Sequence, residues 1–290
     1  MNIQKLSKAH IGILNDYLDN HVETCMFIRS NLYHSGIEYQ NTPYHGEYWA
    51  SFDDANNING VLVHYWNGNL MMQAENNNIL YALINRYKTN QIKPIAGILG
   101  DDSQAGFVIQ SLDIKPSQFA INYTEDLFSL SLNHLNVPEK AKENSFQLRS
   151  IEQCDISILK RWFIDYKIEA LGATSSPELE IEVLDEINDE SVNKNRWVLY
   201  YKNNPVSLCG FNAHMQDIVQ IGPVYTPPEL RNKGYAKVIV ALCLNRAKMN
   251  QVDNAILFTN NPPATHVYRS LGFQVIGQFR LAILKKPVSL

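Results

Sequence analysis

The spacing of apolar residues divides the chain into two successive runs of the same kind of elements. From residue 145, "SFQLRSIE" alternates as a strand does. "CDISILKRWFIDYKIEAL" then changes to helical spacing, predicting a helix over 156–171. A second helix is expected over 178–187, opened by "SSPELE", with Ser176 placed to cap it and Pro177 in a first turn that needs no amide partner. "RWVLYYK" and "PVSLCGFNAH" predict two strands around the turn "NNP", and "DIVQIGPVYT" predicts a third. A long helix follows over 235–249, then the short buried strand "NAILFTN". "PATHVYRSLG" predicts a helix stopped by Gly272, and "FQVIGQFRLAILK" a closing strand.

The first half repeats this order more faintly. Helix-like "HIGILNDYLDNHVETCMFIRSNLYHSG" leads to the strands "EYWASFD", "INGVLVHYW" and "GNLMMQA". A helix, "NNNILYALINRYK", a strand, "PIAGILG", and a helix, "SQAGFVIQSL", complete it. "NINGVLVHYWNGNLMMQAE" thus stands where the second half has "NNPVSLCGFNAHMQDIVQIGPVYT", which predicts an α/β tandem duplication with diverged halves. The strand-like run over 127–135 is followed by the polar, charged "NVPEKAKENS" with Pro138. The expected division is a first domain over 1–135, a linker over 136–144 and a second domain over 145–290.

A length of 290 residues suits two domains, and 45% hydrophobic with 19% charged residues describes a globular chain rather than a disordered one. Net charge of −4 gives no global attraction to nucleic acid, so none is expected as a partner and any recognition of an anion must be local. Cys25, Cys154, Cys209 and Cys243 are scattered, without a CxxC pair or a histidine at ligand spacing. They predict no metal and no disulfide framework, but reduced, buried thiols. "MNIQKLSKAHIGILNDYLDN" reads as an amphipathic helix start, not a signal peptide, and no stretch approaches the roughly 20 apolar residues of a membrane span. The expectation is a cytoplasmic protein without a membrane partner, export by an unmarked signal being the alternative.

One junction concentrates charge and glycine: Arg231-Asn232-Lys233-Gly234-Tyr235-Ala236, between a predicted strand and a predicted helix. The first turn of a helix leaves N–H groups without partners and carries positive potential. Gly234 permits turn dihedrals and close approach, Ala236 keeps the helix entry narrow, and Arg231 and Lys233 add charge. The six residues read as a pyrophosphate cradle, or else as a basic helix start with an incidental glycine. Downstream stands "NNPPATHVYRSLGF", with Asn261, Ala264, Tyr268, Gly272 and Phe273. It resembles the N-x-x-A-x-x-x-Y-x-x-x-G-F block of the GNAT (GCN5-related N-acetyltransferase) superfamily, and the cradle resembles that superfamily's acetyl-CoA loop, Q/R-x-x-G-x-G/A. The resemblance spans residues 145–287. The first half shares only the order of elements, so the whole resembles a tandem-GNAT protein of the kind found widely in bacteria, with a degenerate N-terminal domain.

The resemblance implies two domains, each a central, mostly antiparallel sheet flanked by helices, and acetyl-CoA as co-substrate with no metal. Val224 and Thr226 would pair with the pantetheine arm as a neighbouring strand does. Arg231, Asn232, Lys233, Gly234, Tyr235 and Ala236 would offer N–H groups to the pyrophosphate, and Asn261 would bond to the pantetheine. Tyr268 would act as general acid toward the departing thiolate, a role a phenol with an ordinary pKa of about 10 can fill; otherwise it is a core aromatic. Tyr166 and Glu169 would face the acceptor. The family often places a carboxylate base on the central strands. Here that strand offers Asp217 at its start and Gln220 in its middle, with His214 near the preceding turn. The first half has no cradle: "AENNN" carries Glu75 where an anion would sit, and Asp101 and Asp102 would repel a phosphate. The implied activity is acetyl transfer to an amine of a small molecule or a protein. A different acyl donor, a sensor of acetyl-CoA without turnover, and a bacterial effector acting on a host protein remain alternatives.

Overall fold

The computed structural model describes residues 2–289, with the side chains of all but 191 and 192. The chain forms two compact units. The first comprises Met1–Leu127, Phe258–Asn260 and Val275–Leu290; the second comprises Phe128–Leu257 and Asn261–Gln274. Two consecutive halves were expected. Instead the stretch over 136–144 lies within the second unit, where Ala141 is buried in its core, and the last strand belongs to the first unit.

In chain order the first unit carries β1 (Asn2–Lys5), α1 (Ile11–Asp19), α2 (Met26–Ser35), β2 (Gly46–Phe52), β3 (Ile58–Tyr65), β4 (Asn69–Ala74), α3 (Asn77–Lys88), β5 (Ile95–Asp101), α4 (Asp102–Ser111) and the start of β6 (Phe119–Ser131). Strands β1 to β4 are successively antiparallel and β4 pairs parallel with β5. Alternation divides each strand between two cores. Tyr48, Ala50, Val61, Val63 and Met71 pack with α1 and α2, whereas Trp49, Leu62, Leu70 and Met72 pack with α3 and α4. Burial on both faces explains why these strands read as near-continuous apolar runs. The long helical pattern over 10–36 breaks into α1 and α2 because the intervening turn brings Thr24 onto Gln73, Oγ1 to Oε1 at 2.8 Å.

The second unit continues with β7 (Phe146–Ser150), α5 (Ile156–Leu171), α6 (Pro177–Asn188), α7 (Glu190–Asn193), β8 (Arg196–Tyr201), β9 (Asn204–His214), β10 (Ile218–Tyr225), α8 (Tyr235–Met249), β11 (Asn254–Thr259) and α9 (Pro262–Leu271). Ser176 caps α6 at Leu179 N, with Pro177 in the first turn, as its sequence predicts. Strands β7 to β10 are antiparallel and β10 pairs parallel with β11, so the parallel pair occupies the same place in the order as β4 and β5. Val198, Leu208 and Tyr225 meet α5 and α6; Leu199, Cys209, Val219 and Ile221 meet α8 and α9. This is a mixed α/β, mostly antiparallel architecture in two domains. The final strand, β12 (Gln274–Val288), runs antiparallel to β5, from Phe279 opposite Asp101 to Val288 opposite Ile95. Phe279, Ala282 and Leu284 enter the first unit's cores, which fixes the strand there. All four cysteines are buried free thiols. Among the described residues no helix is long and apolar enough to cross a membrane.

Candidate cofactor and acceptor cleft

Parallel pairing of β10 with β11 runs only from Ile218 opposite Asn254 to Gln220 opposite Ile256. Beyond it the β9 register shifts twice, and Gly222-Pro223, joined by a cis peptide bond, stand opposite Gly210 alone. Proline has no N–H for a ladder, so this bulge is where regular pairing fails. The last residues of β10 keep β9 on one side, Val224 opposite Cys209 and Tyr225 opposite Leu208, and have no β11 partner on the other. Thr226 is pinned just beyond. Ser207 Oγ donates to Tyr225 O at 2.9 Å, and the Thr226 hydroxyl lies 2.8 Å from the same Ser207 oxygen.

From this edge the chain passes through a short 3-10 turn, Pro228–Leu230, into the glycine junction. Asn232 (φ 61°) and Gly234 (φ 78°) are both left-handed, a conformation asparagine tolerates and glycine adopts without cost. A Cβ at Gly234 would meet nothing nearer than Lys140 Nζ at 4.0 Å, so glycine is needed there for its φ and not for room. Gly234 is also the N-cap of α8 and has no side chain with which to cap it. The first amide bonded within the helix is that of Val238, to Gly234 O at 3.1 Å. The amides of the first turn therefore present an uncapped, electropositive helix end. Tyr235 anchors that end: its buried ring lies 6.1 Å from Phe146 and 5.8 Å from Tyr201. Arg231 N is bonded to Pro228 O at 3.2 Å, so the amides available to an anion begin at Asn232.

Edge, junction and helix start line one cavity of about 710 Å³. Val224 and Thr226 line it from β10; Arg231, Asn232, Gly234, Tyr235 and Ala236 from the junction; Asn261 and Tyr268 from α9; Tyr166 and Glu169 from α5. Of the residues expected to bind the cofactor, Lys233 is not in the wall; its ammonium turns back to Glu229 O at 3.2 Å. Asn261 caps α9, its Oδ1 accepting from Ala264 N at 3.3 Å. Tyr268 is buried, with its ring edge-on to Phe273 at 5.8 Å. Two lysines and a histidine escaped the sequence reading. Lys237 and His266 line the cavity, and Lys140 donates to Lys233 O at 2.7 Å with its ammonium 5.5 Å from the Tyr235 ring. A lysine in an apparent linker carries no sequence mark of an approach to a loop 93 residues away.

The Arg231 side chain points away from the helix end. Its Nε donates to Thr226 O at 2.9 Å and its Nη2 to Glu169 Oε2 at 2.6 Å, with the guanidinium 5.9 Å from the Tyr225 ring. Glu169 beside it holds the guanidinium charged more firmly than usual. Burial, with Asp165 and Glu169 nearby, pushes the Tyr225 phenol up to about 12; its hydroxyl lies 3.4 Å from Asp165 Oδ2. Gln220 is buried and donates from Nε2 to Ile221 O at 2.7 Å; its amide cannot serve as a base. Neither Asp217 nor His214 lines the cavity, and His214 stacks on Phe211 at 6.4 Å. Among the described residues no cluster of three or more His, Cys, Asp or Glu is placed to hold a metal ion.

An open strand edge here leads to an uncapped, glycine-marked helix end, an arrangement suited to an extended ligand that carries an anionic group. Residues 158–273 match the model of the acetyltransferase (GNAT) family, and this part of the chain is a GNAT domain. The fold of the whole chain has counterparts among solved structures. A GNAT-family acetyltransferase from Colwellia psychrerythraea is 15% identical, with 98% of this chain and 100% of that one covered and a TM-score of 0.51. A Drosophila protein is 11% identical, with 97% and 98% covered and a TM-score of 0.63. A tandem GNAT protein from the clavulanic acid biosynthesis pathway is 10% identical, with 97% and 98% covered and a TM-score of 0.50. These likenesses concern the fold. By sequence, no curated protein matches the chain.

Proposed function

We propose that the second unit is an acetyl-CoA-dependent N-acetyltransferase that acts on a primary amine of a small molecule or a protein. The observation that carries this reading is the meeting, in one cavity, of an unpaired β10 edge, the uncapped Gly234 helix end and the Tyr268 phenol. Acetyl-CoA fits these residues: its amide-bearing arm suits a strand edge and its pyrophosphate suits the amides of residues 232–237. Bound there, it supplies an activated acyl thioester. Val224 and Thr226 would align the arm, and Asn261, which lines the same cavity, would bond to it. Tyr268 donates its phenolic proton to sulfur as the carbon–sulfur bond breaks and the amine nitrogen bonds to the acyl carbon. An ammonium first sheds one proton to solvent, since the Gln220 amide on β10 cannot take it. The neutral amine that attacks then loses one proton through water to the Tyr268 phenolate, which restores the phenol. Tyr166 and Glu169 form the wall it meets.

The amide at 220 also favours a second reading, acetyl-CoA binding without turnover. Thiol release from acetyl-CoA, measured against a panel of small primary amines and lysine-containing peptides, separates the two. Amine-dependent release supports the transferase. Saturable CoA binding with no release above the amine-free rate would replace it with a sensor.

A further inference from the structure

We infer that Arg231 is a positioning residue for the acceptor-side wall of the cleft, tying Glu169 of α5 to the end of β10, and is not a ligand of the pyrophosphate. The inference rests on the transferase reading for what the wall does, but the tie itself stands on geometry. The guanidinium makes a directed contact on each side, Nε to Thr226 O at 2.9 Å and Nη2 to Glu169 Oε2 at 2.6 Å. The rigid fork of arginine can hold both at once, which lysine's point charge cannot. Turning it to the helix end would break both contacts and leave Glu169 without its cation. The junction has other charges for a phosphate in Lys140, Lys237 and the uncapped amides of α8.

The end of α5 needs such a tie. Glu169 stands in its last turn, where a carboxylate faces the negative end of the helix dipole. That turn has no basic residue, and Lys167 just before it is engaged by Glu182 and Glu186 of α6, each at 2.9 Å. Ile168 and Leu171 are exposed there, so little apolar packing anchors that turn. Tyr166, Glu169 and Ala170 form the α5 wall of the cavity. Arg231 thus links the strand end that would align the arm of acetyl-CoA to the helix turn that would meet the acceptor.

The test uses the full chain in four forms besides wild type: Arg231→Ala, Glu169→Ala, both together, and Arg231→Lys. Amide hydrogen exchange over residues 165–172 reads the tie, and calorimetry with CoA reads the cradle. Each alanine variant is expected to speed exchange about threefold, with no further gain in the double variant and partial protection restored by lysine. The CoA dissociation constant is expected to stay within about threefold throughout. A tenfold or greater loss of CoA affinity in Arg231→Ala, with exchange unchanged in both single variants, would overturn the inference and make Arg231 a phosphate ligand. Failure of the acetyl-CoA reading is distinguishable, because wild type would then not bind CoA while the exchange arm still reports on the tie.

Discussion

The two units follow the same order of elements and part company at two helix starts. In the second unit, residues 226–234 separate β10 from α8, and the helix begins at a glycine that cannot cap it. In the first, only residues 75 and 76 separate β4 from α3, and Asn76 Oδ1 accepts from Asn78 N and Ile79 N, each at 3.1 Å. The next helix is capped in both units, α4 by Asp101 at Ser103 N and Gln104 N, both 3.1 Å, and α9 by Asn261 at Ala264 N. The difference is that Gln104 Oε1 also accepts from Ala74 N at 2.8 Å. In the order of elements Ala74 is the strand-end counterpart of Val224–Thr226, and the residue matching Gln104 in α9 is the small Ala264. The first unit thus consumes with its own side chains the donors at the α3 start and the β4 end, whose counterparts at the α8 start and the β10 end receive no such side-chain cap. Acidic residues mark the same region in the sequence, but repulsion is the lesser part of the explanation. Asp102 is neutralised by Arg280 at 2.8 Å and accepts from Thr124 at 2.5 Å. On the proposed reading, a cofactor site of this kind depends on backbone groups left unsatisfied, and self-capping closes it.

Two substitutions would break the contrast from the side of the second unit. Gly234→Asp gives α8 a side chain at its N-cap, places a carboxylate where an anion is to bind, and strains a backbone at φ 78°. In thermal melts with CoA at about 100 times its dissociation constant, wild type should gain about 2.7 kcal/mol, and the variant should gain nothing. Persistence of the gain would remove the cradle from the assignment. Tyr268→Phe keeps the ring on Phe273 and removes only the hydroxyl. Turnover should fall about 10²-fold at unchanged CoA affinity, as steady-state rates and calorimetry would report; equal turnover would leave Tyr268 a core aromatic.

Acid should distinguish the units by a smaller margin. His64 of β3 is fully buried beside Tyr87, at 3.0 Å from its hydroxyl, and burial, aided by the charge of Lys93, lowers its pKa to about 4. The unfolded chain, with an ordinary value near 6.5, binds the proton more readily. Stability is therefore lost as pH falls from 6.5 toward 4, by about 2 kcal/mol at pH 5. Urea unfolding at pH 7 and pH 5 should show this loss in wild type and a smaller one in His64→Gln. Identical pH dependence in the two would show that another group carries it.

Much of the lining of the second unit's candidate site is legible because it is local. The spans 156–171 and 235–249 follow directly from apolar spacing, Gly234 stands out by its place at a charged strand–helix junction, and Asn261 and Tyr268 stand out by the resemblance of their segment to the GNAT block. What stayed hidden depends on pairing across the chain. Glu169 meets Arg231 over 62 residues, Gln104 meets Ala74 over 30, and β12 joins β5. Alternation in "FQVIGQFRLAILK" announces a strand, but its partner is chosen by which core receives Phe279, Ala282 and Leu284, a property of the assembled sheet and not of the segment.

The smallest expected effect sharpens the comparison from the first unit's side. If self-capping closes its helix start, Asn76→Ala removes two hydrogen bonds to backbone amides and should cost about 1 kcal/mol in urea unfolding. It should not create a second CoA site, because Gln104 still occupies the Ala74 amide and no left-handed loop precedes α3 to turn amides outward. Asn76→Gly with Gln104→Ala exposes both the helix end and the strand edge, leaving only the missing loop between the two units' designs. Calorimetric stoichiometry should stay at one CoA per chain for Asn76→Ala and for the double variant alike. A second, weaker CoA site in the double variant would show that side-chain capping alone silenced the first unit, and that the long junction over 226–234 is dispensable for holding the anion.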